Sequence, residues 1–371
     1  MSSAMSNAAA TKTRLVPHAR ATWLDPQSGE TVAPRALFER LLDRQAVLLG
    51  ETHDVAEIHR WQMHVIAALH ALKPQMAVGF EMFPKRVQPA LDDWVAGRLS
   101  VDQFLLRADW NKVWRFDPEI YLPIFHFCRQ HAIPMLGLNC ERPLVRNVGR
   151  LGWDGIAEAE REGITRPAKA TMAYRRFLFD ITGGGRPDRK SKSAEDPEFD
   201  SFVNAQQTWD RAFACRIADW LQTHPGHLAV GIIGRGHLDY GGGTPHQLRD
   251  LGVADPAVLC PSFEAEIDLD QVAGIGAAIY RLDTVEERAG RVFDAGLSLA
   301  GEEAVIAEIA PDSAAAKAGL QAGDRIVAVG GAALGDAASL FGRLRRLPPG
   351  ASMALTVERG GARREMVVVN A

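Results

Sequence analysis

The feature that most constrains the fold is a strand–helix–strand pattern near the start of the chain. The run Ala46–Gly50 (AVLLG) is short, apolar and ended by glycine, which is typical of a buried strand. A helix is predicted to follow as far as Leu72, with Thr52 or Asp54 as its cap. A second apolar strand is predicted over Met76–Phe80. Because a helical crossover joins parallel strands, we expect an α/β domain with a parallel sheet and flanking helices.

Further elements extend this pattern along the chain. Strands are predicted over Ile133–Leu138, Leu228–Ile233 and Ala277–Leu282. Helices are predicted over Ala36–Arg44, Pro84–Gly97, Ser100–Arg107, Asp117–His131, Leu144–Leu151, Ala168–Asp180, Phe199–Thr223 and Pro245–Leu251. The stretch Thr182–Pro197 is rich in glycine and charge and has no large apolar residue before its end, so we expect a mobile loop.

The pattern changes near Arg291, where short β-like runs begin to alternate with glycine-rich turns. The period of the apolar residues becomes two, which predicts a small β-rich domain. We therefore expect a disordered tail over residues 1–20, an α/β domain over 21–285 and a β-rich domain over 290–371.

The composition excludes several classes of protein. The formal net charge is -4, so no positive field favours nucleic acid. The sequence has no apolar run of about 20 residues, so no transmembrane helix is predicted. The first 13 residues lack the apolar core of a secretory signal and a lipid-acceptor cysteine, so the sequence by itself predicts a cytoplasmic protein. The four cysteines form no CxxC pair, which argues against a disulfide framework and a thiolate zinc site.

Polar side chains follow each of the predicted parallel strands, where ligands bind in open α/β sheets. We expect Glu51, His53, Glu81 and His237 to share a crevice. Carboxylates and imidazoles suit a divalent metal such as Mn, Fe, Co or Zn. Alternatively, Glu51 and His237 would form a general acid/base pair. The metal site and the acid/base pair both stay open, because the sequence contains no HExxH, GxSxG or dinucleotide-binding motif.

Five segments together resemble the ChaN-like haem-binding family of the Tiki, TraB and erythromycin-esterase-like superfamily. They are GETHD at 50–54, HxxQ at His59 and Gln62, FEM at 80–82, the helix FVNAQQTWDRAFA at 202–214 and GRGHLDYGGGTP at 234–245. The resemblance runs from about Leu48 to Gly252, and Phe213 stands where the family usually has methionine.

The resemblance implies haem binding, a role in bacterial iron uptake, and haem held by tyrosine at a homodimer interface. It also implies a periplasmic or outer-membrane lipoprotein, in contrast to the absence of a lipobox. The haem-site residues that it suggests are Tyr240, Tyr174, His59, Gln62, Gln206, Trp209, Asp210 and Arg235. Tyr240 is favoured over Tyr174 as the ligand because it lies in the glycine-rich loop, where Arg235 or His237 would lower its pKa. Phe202, Trp209, Phe213 and Trp61 are expected to supply apolar walls for the haem.

The C-terminal stretch VIAEIAPDSAAAKAGLQAGDRIVAVGGAAL resembles bacterial PDZ domains. Such domains capture a peptide or protein C-terminus by adding a strand to a sheet edge. The expected peptide-binding residues are Gly296, Leu297, Ser298, Leu299 and Leu340, with Ala337 and Ala338 leaving room for a side chain and Phe341 as a further wall. Ser298 stands where glycine is common in the carboxylate-binding loop.

Three functions remain open at this point. The first is a haem-binding protein whose PDZ module recruits a partner. The second is a metal-dependent hydrolase of peptide or ester bonds that uses Glu51, His53, Glu81 and His237. The third is a PDZ-tethered scaffold with an idle pocket.

Overall fold

The computed structural model describes residues 14–184, 190–283, 288–301 and 303–371. The chain packs as two compact units, each built from two stretches of sequence. Unit 1 joins residues 1–81 to 138–287, and unit 2 joins residues 82–137 to 288–371. The predicted division into 21–285 and 290–371 stays a prediction, but the packing places the stretch 82–137 with the C-terminal domain.

The strands, in chain order, are β1 (Leu15–Pro17), β2 (Trp23–Leu24), β3 (Thr31–Val32), β4 (Ala46–Glu51), β5 (Met76–Pro84), β6 (Met135–Asn139), β7 (Leu228–Gly234), β8 (Ala257–Ser262), β9 (Glu266–Asp268), β10 (Ala278–Arg281), β11 (Leu297–Ala300), β12 (Val305–Ile309), β13 (Arg325–Val329), β14 (Ala332–Ala333), β15 (Ser352–Arg359) and β16 (Ala362–Val369). The α-helices are α1 (Pro34–Leu41), α2 (Ala56–Leu72), α3 (Gln88–Val95), α4 (Val101–Arg107), α5 (Trp110–Val113), α6 (Leu122–Gln130), α7 (Arg142–Leu151), α8 (Met172–Ile181), α9 (Asp200–Thr223), α10 (Thr244–Asp250), α11 (Leu269–Val272), α12 (Ala314–Lys317) and α13 (Ala337–Arg345).

The main sheet has the strand order β3-β2-β10-β8-β4-β7-β5-β6. Its centre is parallel, because β4 pairs in parallel with β7 and β8, and β5 pairs in parallel with β7. Every residue of β4, β5 and β7 is buried, which fits strands covered on both faces by helices. The predicted α/β fold with a parallel sheet is therefore confirmed.

Several local predictions about unit 1 were wrong. Strand β8, which lies between β4 and β10, was not predicted; it contains Pro261, and proline usually argues against an interior strand. Helix α2 has no side-chain cap from Thr52 or Asp54, and instead the N–H of Val55 donates to the carbonyl of Thr52 at 3.1 Å. Part of the predicted tail is ordered, since β1 pairs antiparallel with β9; residues 1–13 of that tail lie outside the described residues.

The predicted mobile loop over Thr182–Pro197 includes residues 185–189, which lie outside the described residues. Its later part packs closely, contrary to prediction. Ala194 is buried in an apolar cluster with Tyr174 and Phe199, and the guanidinium of Arg175 donates to the Ala194 carbonyl at 2.8 Å. A small side chain is enough to fix this stretch, because the aromatic residues that enclose it come from other elements.

Unit 2 contains an aromatic core in its first stretch and a separate sheet in its second. Phe83 at the end of β5 and Trp94, Phe104, Trp110 and Phe125 of α3–α6 form a network of ring contacts. The sheet has the order β11-β12-β13-β15-β16, with β14 paired to β13, and its core includes the residues Ile306, Leu340, Leu355 and Val357. This is the expected small β-rich domain. Among the described residues, none of the helices combines the length and apolar character that crossing a bilayer requires.

Candidate functional site

The carboxyl ends of three adjacent parallel strands bring two acidic side chains together in unit 1. Glu51 ends β4 and is in register with Gly234 at the end of β7. Glu81, from β5 on the other side of β7, accepts a 2.5 Å hydrogen bond from the N–H of Gly234 through Oε2. Both carboxylates are buried, with 2% and 7% of their residue surface exposed. The order of the strands therefore places Glu51 and Glu81 on either side of one glycine.

Histidines from the start of the first crossover surround Glu51. Its Oε1 lies 2.6 Å from Nδ1 of His53, and its Oε2 lies 3.6 Å from Nδ1 of His59. The His59 ring also contacts Oε1 of Gln62 at 2.9 Å and the carbonyl of His53 at 3.1 Å. His59 and Gln62 are buried, so they hold the His53 backbone and the Glu51 carboxylate in place from within the core.

Glu51 and His53 each stabilise the charged form of the other. Burial alone would raise the pKa of Glu51, but the hydrogen bond and charge of His53 outweigh it and the pKa is lowered. Burial would lower the pKa of His53, whereas the hydrogen bond to Glu51 and the charges of Glu51 and Glu81 raise it to about 9. The pair is therefore a carboxylate and an imidazolium near neutral pH.

Three of the predicted residues lie close enough together to share one metal ion. One ligand atom each from Glu51, His53 and Glu81 lies within 4.8 Å of the other two. A Cβ at Gly234 would come within 3.0 Å of the His53 ring, so the glycine leaves the space that His53 occupies. Two carboxylate oxygens and one imidazole nitrogen are donors suited to Mn, Fe or Zn, and a metal at this place would displace the proton that the raised pKa of His53 otherwise favours.

His237 belongs to a second, adjoining group. Its Nδ1 lies 2.8 Å from Oδ1 of Asp210, and the Gln206 amide nitrogen lies 3.1 Å from the same ring atom. Its Nε2 lies 3.9 Å from Oε1 of Glu81, which links the two groups. Burial would lower the pKa of His237, but the charge and hydrogen bond of Asp210 raise it. The four residues expected in one crevice are thus brought together.

Asp210 is the centre of this second group. Its carboxylate is fully buried and accepts hydrogen bonds from the hydroxyl of Tyr174 at 2.7 Å and of Thr244 at 3.1 Å. Burial and the Asp210 charge raise the pKa of Tyr174 well above its ordinary value. Thr244 was not predicted as a site residue, although its place directly after three glycines at the start of a helix was a usable signal. Gly243 is required here, because a Cβ would overlap the His237 carbonyl.

Tyr240 differs from Tyr174 in being accessible. It is 45% exposed, adopts a left-handed backbone conformation with φ of 60°, and donates from its hydroxyl to the carbonyl of Gln271 at 2.7 Å. The expected lowering of its pKa was wrong. Burial and Asp239 raise it, and Arg235, which would lower it, is paired with Asp239 at 2.7 Å.

Phe177 packs against Tyr240, and only some of the side chains expected as apolar walls for the haem are accessible. The ring of Phe177 lies 5.4 Å from the Tyr240 ring, and Ile181 on the same helix is 52% exposed. Phe202 is exposed and Trp209 is half-buried, so both are available to a ligand. Phe213 and Trp61 are not, because Phe213 is fully buried and Trp61 packs in the core against Trp23 and Tyr280.

The C-terminal domain forms a groove of about 1010 Å³ in unit 2. It is lined by the expected residues Gly296, Leu297, Ser298 and Leu299, and by Ala337, Ala338, Phe341 and Leu344 of α13. Leu340 does not line it, because its side chain points into the core of the domain and is fully buried. The helical period places Phe341, the next residue, on the groove side instead.

Comparison with known proteins gives matches to both parts of the chain. A family model described as haem-binding uptake, Tiki superfamily, ChaN matches residues 37–248, and a PDZ model matches residues 305–359. A solved structure of ChaN from Campylobacter jejuni, which shows cofacial haem binding, is 22% identical with a TM-score of 0.53; the match covers 70% of this chain and 95% of that one. At this identity the likeness establishes the fold.

The PDZ region also matches a curated protein. The regulator of sigma-E protease RseP from Escherichia coli K12 is 46% identical over 67 residues, which cover 18% of this chain and 15% of RseP. The chain thus spans a small part of that relative. A solved PDZ domain of HtrA3, bound to a phage-derived ligand, is 31% identical over 18% of this chain and 60% of that one, with a TM-score of 0.16.

Proposed function

Because this chain belongs to the ChaN family of haem-binding uptake proteins in the Tiki superfamily and carries a PDZ domain, we propose that it binds haem for iron or haem handling and uses the PDZ domain to capture a partner. The observation that carries the haem proposal is the exposed side chain of Tyr240, whose ring contacts that of Phe177. Haem needs an axial donor and apolar surface against its ring, and this surface offers both.

The residues present fit ferric haem at Tyr240. The Tyr240 side chain is 45% exposed, and its hydroxyl would exchange the Gln271 carbonyl for iron, whereas Tyr174 is buried and its hydroxyl donates to Asp210. Phe177 and Ile181 offer apolar contacts to the macrocycle. Ferric iron would supply the positive charge that stabilises the phenolate, since Arg235 is engaged by Asp239. An exposed apolar surface of this kind also suits the homodimer that we propose to cover the haem.

A hemin titration of the full chain tests this proposal. We expect a Soret band of tyrosinate-ligated ferric haem, and Tyr240→Phe should weaken binding about tenfold or more because it removes the axial donor. Tyr280→Phe is the matched control, because Tyr280 packs against Trp23 in the core of the same unit. Tyr174→Phe should alter haem binding less than Tyr240→Phe. An unchanged spectrum and affinity in Tyr240→Phe would remove the ligand assignment, and no Soret shift in the wild type would remove the haem proposal.

The second candidate function is metal-dependent hydrolysis of peptide or ester bonds. One observation favours it, which is the convergence of Glu51, His53 and Glu81 within 4.8 Å. A divalent metal held by these residues would supply a Lewis acid and a water molecule of lowered pKa. His237, 3.9 Å from Glu81, would hold or move a proton beside it.

Metal analysis separates the two candidates. For the hydrolase we expect about one Mn, Co or Zn per chain after dialysis and loss of that metal in Glu81→Gln. Glu264→Gln, an exposed position of unit 1, is the control. Metal retention without any haem binding would replace the first proposal by the second, and absence of metal at micromolar supply would exclude the hydrolase.

A further inference from the structure

The groove of the PDZ domain has a third wall that comes from a distant part of the sequence. Two walls are the segment 293–301 and helix α13. The third is the segment 99–112, which contributes Leu106, Arg107 and Lys112 from α4 and α5. All three walls belong to unit 2. The groove is therefore built from two stretches of chain that are separated by residues 113–292.

Buried charge fixes the third wall to α13. The Arg345 side chain is only 2% exposed, and its guanidinium pairs with Asp102 at 3.3 Å and with Glu119 at 3.4 Å. Arg346 also pairs with Asp102, at 3.1 Å. Both carboxylates come from the 82–137 stretch. Without them the buried guanidinium of Arg345 would lack a counter-charge, which is strongly unfavourable. These pairs therefore hold α4 against α13.

Shape supports the same contact. A Cβ at Gly342 would overlap the carboxylate of Asp102, so α13 accepts α4 at this distance only because residue 342 is glycine. One turn further along α4, Leu106 packs against the core of the PDZ domain and also lines the groove. Leu106 thus faces the same space as Leu297, Leu299 and Phe341.

We propose that this three-walled groove binds the free C-terminus of a polypeptide with an apolar last residue, and that Leu106 determines the size of the side chain it accepts. The proposal rests on the proposed capture of a partner by the PDZ domain. Strand β11 pairs only with β12 in the described sheet, so its other edge can take an added strand. The apolar residues that meet in the groove suit an apolar terminal side chain.

A cation on the third wall complements the carboxylate of such a chain end. The N–H of Gly296, in the loop expected to bind carboxylate, donates to Asp294 at 2.9 Å, so one loop donor is already engaged. Lys112 lines the groove with its ammonium 3.8 Å from Asp109 and its side chain 63% exposed. Four acidic residues line the groove. Asp109 also pairs with Arg86 at 2.9 Å, Asp294 pairs with Arg115 at 3.7 Å, Asp336 caps α13 through Ser339, and the fourth is Glu308 of β12. Lys112 therefore supplies positive charge that the loop itself lacks.

The test compares affinities of the full chain for peptides that differ only in their last residue, by fluorescence anisotropy. The last residue is valine or phenylalanine with a free carboxylate, and a third peptide is the amidated valine form. Leu106→Ala should raise the affinity for the phenylalanine peptide relative to the valine peptide about tenfold, and Leu106→Phe should change this ratio in the opposite direction. Val101→Ala, on the same helix but away from the groove lining, should keep the wild-type ratio.

The ratio of two affinities is independent of the fraction of protein that is folded, so a loss of stability in one variant does not obscure the result. Lys112→Gln should weaken the free-carboxylate peptide about threefold and leave the amidated one unchanged, with Lys85→Gln as the control. A wild type that binds none of the peptides would overturn partner capture itself. Binding with an unchanged ratio in both Leu106 variants would overturn the three-walled site and leave capture intact.

Discussion

Both units bury paired charges, but among the described residues unit 1 also gathers several buried acidic side chains around histidines. In unit 2 each buried charge meets opposite charge directly, as Arg345 does with Asp102 and Glu119, and Asp324 with Arg359 at 2.6 Å. Unit 1 contains such a pair as well, between Asp239 and Arg235 at 2.7 Å. In addition, Glu51, Glu81 and Asp210 converge on three histidines at the end of its sheet, so acidic groups lie close to one another. Directly matched charge serves architecture, whereas clustered acids and imidazoles mark a site for a ligand.

The largest expected effect tests the architectural role of the unit 2 pairs. Asp102→Ala should lower the free energy of unfolding by about 3 kcal/mol, because it leaves the buried Arg345 with only the more exposed Glu119. Urea unfolding measures it, with the exposed Asp92→Ala on α3 as the control. Combining Asp102→Ala with Arg345→Met should recover most of the loss, since the buried cation is then gone. Equal unfolding midpoints for Asp102→Ala and Asp92→Ala would show that α4 is not held by this charge.

A smaller effect is expected from Asp324, and it should depend on pH. The hydrogen bonds from Arg359 lower the pKa of Asp324 below its ordinary value, so the charged form is favoured in the folded state. The stabilisation is present above pH 4 and is lost as the pH falls through the lowered pKa. Asp324→Asn should therefore lower the urea midpoint at pH 7, and the difference from wild type should shrink toward pH 3. A difference that stays constant with pH would contradict the assignment, and Asp312→Asn is the exposed control.

The smallest effect is expected in the cluster of unit 1. Glu81→Gln keeps an amide oxygen that can accept from Gly234 and removes one of two neighbouring carboxylates. Its free energy of unfolding should therefore stay within about 1 kcal/mol of the wild type, while any ligand that needs the carboxylate is lost. Thermal or urea unfolding measures the change in stability, and a ligand titration measures the change in binding. A loss as large as that of Asp102→Ala would place Glu81 among the architectural charges and remove the contrast between the units.

The residues of the unit 1 cluster were predictable because the sheet is parallel. Once Ala46–Gly50 and Met76–Phe80 are recognised as strands joined by a helix, their carboxyl ends must lie at one edge, and Glu51 and Glu81 follow. Strand order was not predictable. The position of β7 between β4 and β5 puts Gly234 between the two carboxylates. Strand β8, which is the other neighbour of β4, was not predicted because it contains Pro261.

The sequence by itself determined the apolar strands, the polar residues at their ends and the PDZ pattern, because these depend on local periodicity and on motifs. Only the tertiary structure decided which tyrosine is accessible, that Leu340 faces the core rather than the groove, and that residues 99–112 complete that groove. Each of these depends on contacts between side chains far apart in sequence. No local pattern records whether Asp102 will meet Arg345, since that contact exists only once both helices have packed.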